Sequence, residues 1–133
     1  MVWLDRTLIR SHLHIGIAFH GKEVKHEMKR LRIDKSMIHQ VYHDNWTHTD
    51  ADATTIFLDN AQAREHLAIV LVHKRCPTKP HLIGGVLAHE ATHIWQAIKE
   101  TMGEEAPGHE MEAYAIQSIT TKLLHAYYER NPL

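Results

Sequence analysis

The segment His89-Glu90-Ala91-Thr92-His93 has the residue types and the spacing of a zinc site that activates water. Two histidines four residues apart lie on one face of a helix, about 6 Å apart, so both imidazoles can bind one tetrahedral ion. Glu90 is rotated off that face, yet it stays close enough to take a proton from a water at the ion. We therefore expect His89 and His93 to be metal ligands and Glu90 to be the catalytic base.

The residues around this motif decide whether it indicates a metal site, because 14 histidines among 133 residues produce such patterns by chance. Apolar residues recur at helical spacing through the stretch 82–102, on the side that faces away from the two histidines. These residues are Leu87, Ala91, Ile94 and Ile98. The sequence therefore predicts one long amphipathic helix whose metal side is opposite its core side.

A catalytic zinc site needs a third protein ligand, and the next segment offers one. Glycines and a proline in the stretch 103–108 predict a loop, and a second helix is expected from about 109 to 130. A carboxylate in the first turn of that helix can reach the two histidines if the helices pack antiparallel. We predict Glu110 as the third ligand, with Glu112 and His109 as alternatives.

A His-Glu-x-x-His motif followed by a helix with Glu-x-x-Ala resembles the gluzincin branch of the zincin metallopeptidases. The second element is here the stretch 110–113, Glu-Met-Glu-Ala. More closely, residues 50–130 are similar to small uncharacterised metallopeptidase-like proteins of bacteriophages and prophages, with His-Glu-Ala-Thr-His-Ile-Trp-Gln and Glu-Ala-Tyr-Ala-Ile-Gln in common. The resemblance implies one minimal zincin-like domain over residues 1–133, one zinc ion, and a gluzincin-like hydrolase (HExxH) that cleaves a peptide or protein substrate.

The sequence departs from this resemblance at one position. Gluzincins carry an aspartate four residues after the liganding glutamate, where it orients a histidine, and Tyr114 stands there instead. A tyrosine hydroxyl can also accept a hydrogen bond from an imidazole N–H. The metzincin pattern does not fit, because Gln96 and Lys99 stand at its glycine and third histidine. Tyr114 and His125 are candidates for the group that stabilises the oxyanion.

The rest of the chain predicts an α+β fold. Alternating apolar residues indicate a strand at 11–19, a short amphipathic helix follows Gly21, and a further helix is expected at 34–43. Strands are expected at 54–58 and 67–72, joined by a turn or short helix. This order predicts a single-domain zincin-like fold, with a small twisted mixed sheet packed on the motif helix and a C-terminal helix. One of the last two strands should be an edge that holds an extended peptide.

Composition limits the classes of partner and the cellular location that we expect for this protein. A formal net charge of −1 gives no overall attraction to nucleic acid or to an anionic membrane. No apolar run approaches 18 residues, and a single cysteine, Cys76, cannot form an internal disulfide, so we expect a cytoplasmic protein, in the bacterial host if the chain is phage-encoded.

The alternative function is a non-catalytic phage protein that binds a host protein and is stabilised by zinc. In that case the metal contributes folding energy only, and a fourth protein ligand would favour this interpretation. The sequence does not indicate an oligomeric state.

Overall fold

The structure is a computed structural model that describes residues 1–4, 13–46, 50–60, 65–102 and 108–133 of the chain. Its elements, in chain order, are β1 (Val2–Trp3), β2 (Leu13–Ala18), α1 (Gly21–Arg30), α2 (Lys35–Trp46), β3 (Ala53–Asn60), β4 (Glu65–Val72), α3 (Pro80–Met102) and α4 (His109–Arg130). The strands form a small mixed sheet and the helices pack on it, which confirms the predicted α+β class.

The strand order in the sheet is β1-β2-β4-β3. The central pair, β2 and β4, is parallel, while β1 and β3 run antiparallel to their neighbours. Sequence alone left open whether residues 54–58 or 67–72 form the edge. Within the described part of the chain, β4 lies between two strands and β3 pairs with β4 alone, so β3 is the edge strand.

Apolar side chains cover both faces of the sheet. Successive side chains of a strand point to opposite faces, and the residues of β4 divide accordingly between two buried clusters. One cluster also contains residues of α3 and α4 and takes Ala68, Val70 and Val72 from β4. The other contains residues of α1 and α2 and takes Leu67, Ile69 and Leu71 from β4. Because both faces are covered, β4 is almost continuously apolar.

The apolar stripe of α3 is fully buried, as predicted, through Leu87, Ala91, Ile94 and Ile98. Burial of a leucine or isoleucine side chain stabilises the fold by about 1.5–3 kcal/mol, so this stripe fixes the rotation of the helix about its axis. His89 and His93 are left on the exposed side.

Helix α4 packs against α3 and runs antiparallel to it. Near the start of α4, Glu112 contacts Trp95 in the second half of α3. Near the end of α4, Tyr127 shares a buried cluster with Cys76, which precedes α3 in the chain. These two contacts at opposite ends of α4 require antiparallel helices, as we expected for a short connection.

Helix α2 and strand β1 differ from the sequence-based expectations. Helix α2 continues through Trp46 into residues that we expected to be a loop, because Asp44 and Asn45 cost no more than about 0.7 kcal/mol each in a helix. The two-residue strand β1 was not predicted, since it is too short to show a periodic pattern. Residues 103–107 of the predicted loop, residues 61–64 of the predicted connection and residues 11–12 of the predicted strand lie outside the described residues.

Among the described helices, none has both the length and the apolar character that crossing a bilayer requires.

Candidate metal centre

The two motif histidines converge on one point beside α3. Their Nε2 atoms are 3.1 Å apart, and their ring planes are inclined by 80°. Two nitrogens that each lie 2.0–2.1 Å from one tetrahedral zinc ion are separated by about 3.3 Å. His89 and His93 therefore present their Nε2 atoms at a spacing that fits a shared zinc ion.

Gln96 orients the second histidine from one turn further along α3. Its side-chain oxygen, Oε1, lies 3.3 Å from Nδ1 of His93. A metal-binding histidine usually donates its other ring N–H to a carbonyl or carboxylate oxygen, which fixes the tautomer. With the proton on Nδ1 of His93, Nε2 keeps its lone pair for the ion.

Glu90 is buried between α3 and the edge strand, with 5% of its surface exposed. Burial of a carboxylate is costly unless hydrogen bonds replace its water. Thr55 of β3 supplies one such bond, because its hydroxyl donates to Oε2 of Glu90. No other described residue donates to Glu90, so Oε1 is left to accept a proton. The motif glutamate is thus held by the strand that borders it.

The structure does not bring the predicted third ligand to the histidine pair. Glu110 is exposed in the first turn of α4. Across the described ranges, no group of three or more His, Cys, Asp or Glu side chains lies close enough together to hold a metal ion. His89 and His93 are therefore assembled by α3, whereas a role for Glu110 stays a prediction.

The alternative ligand Glu112 has a different partner. Its Oε2 accepts a hydrogen bond of 2.9 Å from the indole Nε1 of Trp95. Trp95 is 2% exposed and lies on the core side of α3, opposite the two histidines. His109, the other alternative, is exposed at the first residue of α4. An acceptor for Trp95 could have been expected from its position on the core side of α3, since a buried indole N–H normally finds one.

Neither candidate for oxyanion stabilisation contacts the histidine pair within the described residues. Tyr114 is 66% exposed, and Nε2 of His125 lies 3.3 Å from Oε1 of Glu129 near the end of α4. Thr55, in contrast, touches the motif but was not singled out from the sequence. The sequence could have indicated Thr55, because side chains alternate along a strand and Thr55 therefore shares a face of β3 with the buried Ala53.

A cavity of about 390 Å³ lies next to His93, between the sheet and the C-terminal half of α3. Helix α3 lines it from His93 to Thr101, and the sheet contributes residues of β2, β3 and β4. The cavity therefore adjoins the motif at His93.

Comparison of the chain with protein-family models, curated proteins and solved structures finds no match. The candidate centre rests on the geometry of its own residues: two converging imidazoles, a buried carboxylate held by the edge strand, and an adjacent cavity.

Proposed function

We propose that this protein is a zinc-dependent metallopeptidase, which hydrolyses peptide bonds with an activated water. The observation that carries the proposal is the convergence of the His89 and His93 Nε2 atoms at 3.1 Å next to the buried carboxylate of Glu90. These histidines and, by prediction, Glu110 would hold one zinc ion. Three protein ligands leave a fourth position open, as catalytic zinc sites do.

Bound zinc would supply a positive charge for the developing oxyanion and would lower the pKa of a water toward about 7. Glu90 accepts the proton of that water at Oε1 and passes it to the departing amine. Thr55 keeps Oε2 of Glu90 occupied, so that the free oxygen has a fixed position. Gln96 holds the ring of His93 in the orientation that directs Nε2 outward.

The edge strand supports a peptide or protein as the substrate. The outer backbone groups of β3 pair with no strand among the described residues, and an extended peptide can add to such an edge through ladder hydrogen bonds. Thr55 of this strand touches Glu90, so a peptide on β3 would lie beside the catalytic base. The proposal includes a cytoplasmic location, in keeping with the free thiol of Cys76.

The test compares wild-type protein with Glu90→Gln in a zinc assay and in cleavage of an unbiased peptide library. We expect both proteins to bind one zinc ion per chain, and we expect Glu90→Gln to lose about 100- to 10,000-fold in cleavage rate. Glu129→Gln, which makes the same change far along α4, serves as the control and should keep full activity.

Undiminished cleavage by Glu90→Gln would refute the proposed mechanism. Absence of cleavage by the wild type, together with an ion that has four protein ligands, would support the alternative of a zinc-stabilised binding protein.

A further inference from the structure

The cavity beside His93 leads away from the histidine pair along α3. It begins at His93 and reaches Glu100, two helical turns and about 10 Å further on. Its volume of about 390 Å³ is within the range of about 300–1,000 Å³ that is typical of ligand pockets. A side chain next to the cleaved bond of a bound peptide could therefore enter this cavity.

Part of the cavity wall is apolar. Leu13 of β2, Phe57 of β3 and Ala97 of α3 all line it. Phe57 is 47% exposed, an unusual position for an aromatic side chain that faces a helix. Such walls suit the hydrocarbon stem of a long side chain.

Among the described residues that line the cavity are two carboxylates, and there is no lysine or arginine. Asp59 of β3 lies 2.6 Å from the imidazole Nδ1 of its cross-strand neighbour His66. Glu100 of α3 has no ion-pair partner among the described residues. These two acidic groups, which pair with no lysine or arginine in the described part of the chain, complement a cation that enters between the sheet and the helix.

We propose that this cavity binds the side chain of a lysine or arginine of the peptide substrate, an inference that rests on the proposed peptidase function. Lysine and arginine combine an apolar stem, which contacts Leu13, Phe57 and Ala97, with a cationic end, which reaches Asp59 and Glu100. An apolar side chain of the same length has no group for the carboxylates. An acidic side chain is repelled by them.

The binding test does not depend on catalysis. Metal-free protein is titrated with N-acetyl-arginine amide, and amide chemical shifts are followed by NMR, with N-acetyl-norleucine amide as the uncharged probe. We expect the arginine probe to shift the amide signals of Phe57, Ala97 and Thr101 saturably and more strongly than the norleucine probe.

The charge variants then locate the cation. The double variant Asp59→Asn/Glu100→Gln should weaken binding of the arginine probe about three- to tenfold, as expected for two exposed ion pairs. The matched control, Asp50→Asn/Glu129→Gln, changes the net charge equally outside the cavity and should bind like the wild type. Equal binding of the two probes, or equal weakening by the two double variants, would overturn the inference.

A peptide library on the zinc-loaded protein separates the two proposals. We expect cleavage next to lysine or arginine and loss of that preference in Asp59→Asn/Glu100→Gln. Cleavage with no preference for basic residues overturns the cavity assignment and leaves the peptidase proposal standing. Binding of the arginine probe in the cavity without cleavage of any peptide overturns the peptidase proposal and leaves the cation site standing.

Discussion

Replacement of Glu112 by alanine tests whether this carboxylate stabilises the core or binds the metal. Its Oε2 accepts the indole N–H of Trp95 at 2.9 Å, and Trp95 is 2% exposed. The variant leaves a buried donor without its acceptor, which costs about 1–3 kcal/mol. Each kcal/mol lowers the Tm of a domain of this size by about 4 °C. We therefore expect Glu112→Ala to lower the Tm of the metal-free protein by about 4–12 °C.

Thermal denaturation monitored by tryptophan fluorescence measures this fall in Tm, and a zinc titration measures metal binding. Glu112→Gln keeps an oxygen that can accept the indole N–H, so it should recover most of the stability. Glu110→Ala is the matched variant in the same helical turn. It should leave the stability of the metal-free protein unchanged and weaken zinc binding at least about tenfold.

The opposite pattern would refute this reasoning. If Glu112→Ala leaves the metal-free protein as stable as the wild type but removes zinc binding, Glu112 is the third ligand and its bond to Trp95 contributes nothing. Unchanged zinc binding in both variants would exclude both glutamates as ligands.

Three further predictions concern the strand, the helix and the acid stability of the fold. Thr55→Val removes the hydroxyl that holds the motif glutamate, so peptide cleavage should fall at least about tenfold at unchanged zinc content, and Thr55→Ser should restore it. Gly84→Ala and Gly85→Ala should each raise the free energy of unfolding by about 1 kcal/mol in urea denaturation, because both glycines lie within α3 and an added Cβ comes within 4 Å of no other part of the described chain. Burial raises the pKa of Glu23, but hydrogen bonds from a backbone N–H, the N-terminal ammonium group and Arg130 lower it to about 2, below its ordinary 4.5. Ionised Glu23 thus stabilises the fold above about pH 4.5, and this contribution, up to about 3 kcal/mol, is lost as the pH falls toward 2; Glu23→Gln should unfold with a shallower dependence on pH in that range.

The features that the sequence predicted are those that a single helix determines. The spacing of His89 and His93 brings their rings together within one turn, and the apolar stripe through Leu87 and Ile94 decides which side of α3 faces the sheet. Both depend on helical periodicity alone. The position of the histidine pair on the exposed side of α3 followed from the same pattern.

The features that the sequence did not predict depend on how separate elements pack. A sequence does not reveal which strand is the edge, so the bond from Thr55 of β3 to Glu90 could not be foreseen. The rotation of α4 about its axis is likewise set by packing. In the structure it turns Glu112 toward Trp95 and leaves Glu110 exposed. Helical spacing within α4 could not distinguish these two glutamates.

The parallel pairing of β2 with β4 affects the order in which parts of the protein fold. These neighbours in the sheet are separated along the chain by α1, α2 and β3, and contacts between distant segments form slowly. The two histidines are four positions apart in one helix, and helical turns form within about a microsecond. Thr55 and Glu90, by contrast, are 35 residues apart and meet only when the sheet and α3 have docked. We therefore expect the histidine pair to form before Thr55 holds Glu90, so that under the proposed function a folding intermediate would lack an oriented base.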